Sequence, residues 1–157
     1  STDLTSQPQL QYEFLIEIRV DLDLQIIGDT PAGHRRLYPI KGGWFKGPAF
    51  HGSVLPGGSD SFLVDASGRG LLDVRMTLKT SDEALIFVTY KGILHHVPTL
   101  EVKLIGGEAV AWSDYYFRIV PFCETASDKY AWLNHTLAVG VGEADLTGVS
   151  YSIYRIL

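Results

Sequence analysis

The sequence predicts an all-β protein, a single small antiparallel β-barrel with at most one or two short helices. Three observations carry this expectation. Short apolar segments, several of them strictly alternating, follow one another at close spacing with turn residues between them. Aromatic residues make up 11% of the chain, a bias toward strands and a lined cavity. Residues 41–60, KGGWFKGPAFHGSVLPGGSD, hold six glycines and two prolines, yet Trp44, Phe45, Phe50, Val54 and Leu55 sit between these breakers. A segment that must be both bent and buried is how a sheet curls until it closes.

The elements follow in order. Residues 1–10 are polar and read as a loose arm. Residues 11–24 alternate, with Tyr12, Phe14, Ile16, Ile18 and Val20 on one face and Glu13, Glu17, Arg19 and Asp21 on the other. That period of two is a half-buried strand, which Ile26 and Ile27 end. Residues 28–33, GDTPAG, are loop chemistry. Residues 34–41, HRRLYPIK, form a short strand with Pro39 at an edge or bend. The glycine-rich stretch makes a wall and rim of the barrel, and its turn at Pro56-Gly57-Gly58 presents Asp60.

Phe62, Leu63 and Val64 form a short apolar piece, and residues 65–70 turn the chain. In residues 71–79, Leu72, Val74, Met76 and Leu78 point one way and Asp73, Arg75 and Thr77 the other. Residues 84–91, ALIFVTYK, return as an antiparallel partner, apolar on both faces and therefore central. Residues 92–111 hold the helix candidate: Pro98 suits a first turn, Leu100, Lys103 and Leu104 share a face, and Gly106-Gly107 end it. Residues 115–122 are a strand broken by Pro121, and residues 149–157 close the sheet after the run YAWLNHTLAVGV at 130–141.

Length and charge bound the function. A chain of 157 residues fits one domain, 1–157, with a core that needs no staples. The net charge is −5 and no basic cluster exceeds Arg35-Arg36, so no nucleic-acid partner is expected. A lone Cys123 excludes an intrachain disulfide and a cysteine-based zinc cage, and reads as a small buried hydrophobe. No apolar run is long enough to cross a membrane, and STDLTSQPQLQ lacks the pattern of a signal peptide. A cytoplasmic protein without membrane partners is the expectation.

Polar residues on otherwise buried strands point to chemistry. Asp73 and Arg75 share one face, as do Tyr116 and Arg118. If these groups converge on the hollow, Asp60, Asp73 and Glu124 are the acid/base candidates, because a carboxyl in an apolar pocket titrates near neutral pH. Arg75 and Arg118 would hold an anionic oxygen. Tyr90, Tyr116 and Asn134 would orient the substrate, Trp132 would pack on it and His51 would line the cavity. The opposing structural reading makes Asp73–Arg75 and Glu124–Arg118 ion pairs at the barrel ends, and Asp60 a turn residue. Neither a metal nor a cofactor is expected: adjacent His95 and His96 point apart on an extended chain, and Gly140-Val141-Gly142 is a lone GxG.

The ordered strings GGWFKGPAFHGSVLPGGSD, DVRMTLKT, IFVTYKG, YYFRIVPFCET and YAWLNHTLAVGVG span most of residues 15–156. In them the chain resembles the domain-of-unknown-function family three-two-three-seven. That resemblance implies a calycin/allene oxide cyclase-like barrel, a group that includes cyclases and isomerases of small apolar substrates. The expected function is a cofactor-independent isomerase, cyclase or lyase using acid/base catalysis on a small apolar, enolisable or aromatic molecule. The alternative is a non-catalytic, lipocalin-like carrier. A homo-oligomer, a dimer first, is expected in either case.

Overall fold

The computed structural model describes residues 6–157. The described residues form ten strands: β1 (Tyr12–Leu22), β2 (Gln25–Thr30), β3 (Gly33–Lys46), β4 (His51–Val54), β5 (Ser59–Val64), β6 (Gly70–Thr80), β7 (Leu85–Leu94), β8 (Phe117–Thr125), β9 (Ala138–Ala144) and β10 (Gly148–Ile156). One helix, α1 (Val97–Ile105), joins β7 to β8. The strand order β1-β10-β9-β8-β7-β6-β4-β3 returns on itself through pairing of β1 with β3. That closes an antiparallel barrel, as expected, with β2 and β5 outside this path.

The glycine-rich stretch does the bending. The first half of β3 pairs with β5, from His34 opposite Val64 to Pro39 opposite Ser59. Its second half pairs with β4 from Gly43 onward on one side and with β1 from Ile40 onward on the other. The change of partner falls at Gly42 and Gly43, both at positive φ. β4 and β5 both pair with β6, so the turn at Pro56-Gly57-Gly58 interrupts one wall position and delivers Asp60 on its far side.

Alternation decides what fills the barrel. Leu72, Val74, Met76 and Leu78 of β6 are buried, as are Ile16, Ile18 and Val20 of β1. Tyr12 and Phe14 were expected on that same inner face but are 68% and 42% exposed. A register shift between Phe14 and Ile16 buries Leu15 and turns the two aromatics outward, where both pack edge-on against Tyr154. Ser6 to Gln11 are exposed, and the rest of the expected arm lies outside the described residues.

Four further boundaries differ from the sequence reading. Ile26 and Ile27 belong to a separate strand, β2, that forms a hairpin with β3. Gly92 to Leu94 stay in β7, which leaves the helix only residues 97–105. Pro121 does not break β8, which pairs with β7 throughout. Trp132 lies in a 3-10 turn, Ala131–His135, ahead of β9.

The two ends of the barrel differ. One is plugged by aromatics: Phe50 touches Phe45, Tyr130 and Trp132 with ring centroids 5.4, 5.5 and 6.1 Å apart. The other is covered by α1, which buries Val97 and Leu100 and leaves Val102 and Ile105 exposed. Pro98 fits its first turn without losing a hydrogen bond, and the Val97 N–H donates to the Gly68 carbonyl. Between the ends, the hydroxyls of Tyr90 and Tyr151 meet at 3.0 Å. Burial holds both phenols above their ordinary range, so both stay neutral. Tyr90→Phe strands the Tyr151 hydroxyl without a partner and is expected to cost about 1–3 kcal/mol in urea unfolding. Replacing both by Phe is expected to recover most of that loss.

Candidate active site

Asp60 is the buried acid of the barrel, 6% exposed. It shares a face with Phe62 and Val64 by alternation along β5, and both of those are buried. Its Oδ1 accepts the Asp73 N–H at 2.9 Å. Among the described residues nothing else hydrogen-bonds to the carboxyl, and Asp60 lines a cavity of about 240 Å³ that is open on one side. Burial is the main cause that raises its pKa to about 7. The Asp73 N–H and Arg35 pull the other way, and the Asp73 carboxylate adds a smaller upward push.

The cavity lies at the helix-covered end. Phe62, Leu72, Leu100, Leu104, Phe117 and Val149 give it apolar walls from both sheet and helix. Its polar side comes from β3. Tyr38 sits opposite Asp60 in the β3–β5 register, and its ring packs edge-on against Phe62 at 5.7 Å. Arg36 forms a two-pronged pair with Glu101 of α1, at 2.5 and 3.2 Å, and also donates to the Tyr38 oxygen at 3.3 Å. This pair fastens the helix across the mouth. Arg36 Nε is buried with no hydrogen-bond partner.

The other expected site residues lie elsewhere. Asp73 and Arg75 are exposed on β6, because the apolar set Leu72, Val74 and Met76 takes the inside. Tyr116 and Arg118 lie outside, with the guanidinium 5.0 Å over the phenol ring. Asp73, Tyr116 and Arg118 do come together, but along an outer groove of about 460 Å³ that also holds Lys91 and Arg35. Glu124 and His51 are exposed. The expected ion pairs of Asp73 with Arg75 and of Glu124 with Arg118 are not among those formed by the described residues. Asn134 clamps the Thr125 backbone through both ends of its amide, a structural role. Trp132 packs at the aromatic plug, with Arg155 5.5 Å from its ring. Tyr90 is interior but bonded to Tyr151, and it does not line the cavity.

His95 and His96 do not point apart, since His96 takes a left-handed φ of 59° and the ring centroids lie 3.7 Å apart. Among the described residues no group of three or more His, Cys, Asp or Glu is placed to hold a metal. Cys123 packs against the core, and burial pushes its thiol up to about 11. No helix of the described residues is long and apolar enough to cross a membrane.

Sequence reasoning missed Arg36, Tyr38 and Glu101. The signal for the first two is their parity with buried Ile40 along β3. Glu101 carries no such signal, because its role depends on where the helix docks.

Known proteins align with nearly the whole chain. The family described as protein of unknown function (DUF3237) matches residues 8–156. A UPF0311 protein of Clostridium acetobutylicum is 39% identical over 157 residues, covering 98% of this chain and 99% of that protein. The crystal structure of a β-barrel-like protein from Acinetobacter baumannii superposes with a TM-score of 0.83 at 37% identity, covering 97% of this chain and 99% of that one. A hydroalkoxylation enzyme of Penicillium herquei is 29% identical over 115 residues, 73% of this chain and 62% of that protein. The crystal structure of an enzyme from the same organism superposes with a TM-score of 0.72 at 25% identity, covering 98% of this chain and all of that one.

Proposed function

The chain belongs to the DUF3237 family, and from that premise we propose that it is a cofactor-independent acid–base enzyme of the isomerase, cyclase or lyase type. Its substrate is a small, largely apolar molecule held in the barrel mouth beneath α1. The observation that carries this reading is Asp60: a buried carboxyl with one oxygen fixed by a backbone N–H, raised to about 7, on the wall of an apolar cavity. A group that titrates there both gives and takes a proton near neutral pH. The similarity to a hydroalkoxylation enzyme supports the same class.

The chemistry balances without a co-reactant. In an addition of O–H across C=C, Asp60 gives its proton to one alkene carbon. The substrate oxygen bonds to the other carbon, and the proton it sheds returns to Asp60. In an isomerisation the carboxylate takes a proton from carbon beside a carbonyl and, after exchange with solvent, gives one back at a second position. Asp60 ends either cycle as it began.

Incubation of the protein in D₂O with small enolisable ketones and hydroxyalkenes tests this. The expected result is deuterium incorporation into the substrate, read by NMR or mass spectrometry, that Asp60→Asn abolishes. Ligands that bind wild type and Asp60→Asn equally, with exchange in neither, would establish the carrier instead. Asp73→Asn changes an exposed carboxylate and keeps the backbone N–H that holds Asp60. It is expected to leave exchange within about threefold of wild type, since the Asp73 carboxylate is a lesser cause of the raised Asp60 pKa than burial.

A further inference from the structure

We infer that the barrel mouth selects an uncharged ligand carrying an oxygen acceptor, a ketone or an ether oxygen on an apolar frame, and that the Tyr38 hydroxyl is the group that reads this oxygen. The inference rests on the cavity reading above and names its substrate class.

The charges around the cavity argue against an anion. Among the described residues its lining holds one cation, Arg36, against the carboxyl groups of Asp23, Asp60, Glu101 and Asp145. Both terminal nitrogens of Arg36 are committed to Glu101. A carboxylate or phosphate ligand would therefore enter a low-dielectric space with no free cation to meet it, which is strongly unfavourable. A cation fares little better at the carboxylates of the rim: Asp145 is bound by Arg19, and Asp23 lies 3.9 Å from Lys41.

Among the described residues of the lining two donors are left, the buried Arg36 Nε, part of a guanidinium whose charge Glu101 already matches, and the Tyr38 hydroxyl, which lies beside the acid. The Tyr38 oxygen accepts from Arg36, which leaves its own hydrogen without an acceptor among the described residues. Packing against Phe62 fixes the ring, and the cross-strand register places Tyr38 beside Asp60. An N–H donated by a guanidinium also makes the phenol a better donor in turn. An oxygen bound by Tyr38 would lie on the same side of the cavity as the acid, where charge develops when a carbonyl enolises. Tyr38 thus acts on the substrate oxygen while Asp60 acts on its proton.

Three probes of similar shape test this: acetophenone, which is neutral with an acceptor; benzoate, which is anionic; and cumene, which has no polar group. Binding at pH 7 is followed by NMR shift changes of the cavity residues. Acetophenone is expected to bind at least tenfold more tightly than benzoate. Tyr38→Phe keeps the ring against Phe62, and is expected to weaken acetophenone about threefold to tenfold while leaving cumene unchanged. Benzoate binding as well as acetophenone, or Tyr38→Phe weakening both neutral probes alike, would overturn the inference. Asp60→Asn is expected to keep the order of the three probes. If that order holds but no variant or wild type shows exchange, the catalytic reading fails and the ligand class stands. If exchange depends on Asp60 but the order is reversed, the ligand class fails alone.

Discussion

Asp60→Asn is expected to lower turnover by about 10²–10⁴-fold, the usual worth of a positioned acid or base, and at the same time to stabilise the fold at neutral pH. The side chain stays the same size, and its carbonyl oxygen can still accept the Asp73 N–H. The stability effect follows from linkage. Asp60 is raised from 3.8 to about 7 in the folded chain. Between those values the folded chain holds a proton that the unfolded chain has released. Wild-type stability therefore falls as pH rises from about 4 to about 7, and the fall ends above the folded value. The slope is at most about 1.4 kcal/mol per pH unit. Asparagine does not titrate, so the variant matches wild type near pH 4 and is the more stable above pH 7. Thermal unfolding of both proteins across that range reads the effect. A variant less stable than wild type at pH 8 would show that Asp60 is a structural residue.

Gly43→Ala is expected to prevent folding, with a cost above about 4 kcal/mol. Gly43 lies on the seam where β3 meets β1 and closes the barrel, opposite Val20. A β-carbon there would stand 1.9 Å from the Arg19 carbonyl oxygen and 2.9 Å from its carbon. Both are backbone atoms of the partner strand, so neither can rotate away. The φ of 147° is also one that a side chain rarely adopts. Gly57→Ala separates the two causes, since φ is 107° there but nothing lies within 4 Å of the added carbon. That change is expected to cost only about 1–3 kcal/mol. Circular dichroism and yield of soluble protein distinguish the pair. A folded Gly43→Ala would mean that the seam tolerates separation.

The barrel itself was legible because bend and burial are written in the same residues. Glycines among Phe45, Phe50 and Val54, all buried, leave a strand few options other than curling, although Trp44, expected to be buried with them, is 41% exposed. The position of Asp60 was legible for a similar reason, since it follows a turn and alternates with Phe62 and Val64. For β6 the sequence also held the answer that the expected site contradicted. Leu72, Val74, Met76 and Leu78 occupy one parity, so Asp73 and Arg75 had to lie on the outside. Counting polar residues on apolar strands overlooked that parity. Tyr12 and Phe14 failed differently, because a bulge reverses parity and leaves no mark on composition. The mouth was the least legible part. Arg36, Tyr38 and Glu101 meet only after β3 has paired with β5 and α1 has docked, contacts across 65 residues that no local pattern encodes.

The titration of Asp60 itself is the most direct test of an acid–base centre in this barrel. Carbon-13 NMR of the side-chain carboxyl, assigned by its loss in Asp60→Asn, follows that titration without any knowledge of the substrate. A midpoint near 7 is the result predicted here. A midpoint near 4, that of an ordinary solvated aspartate, would contradict it.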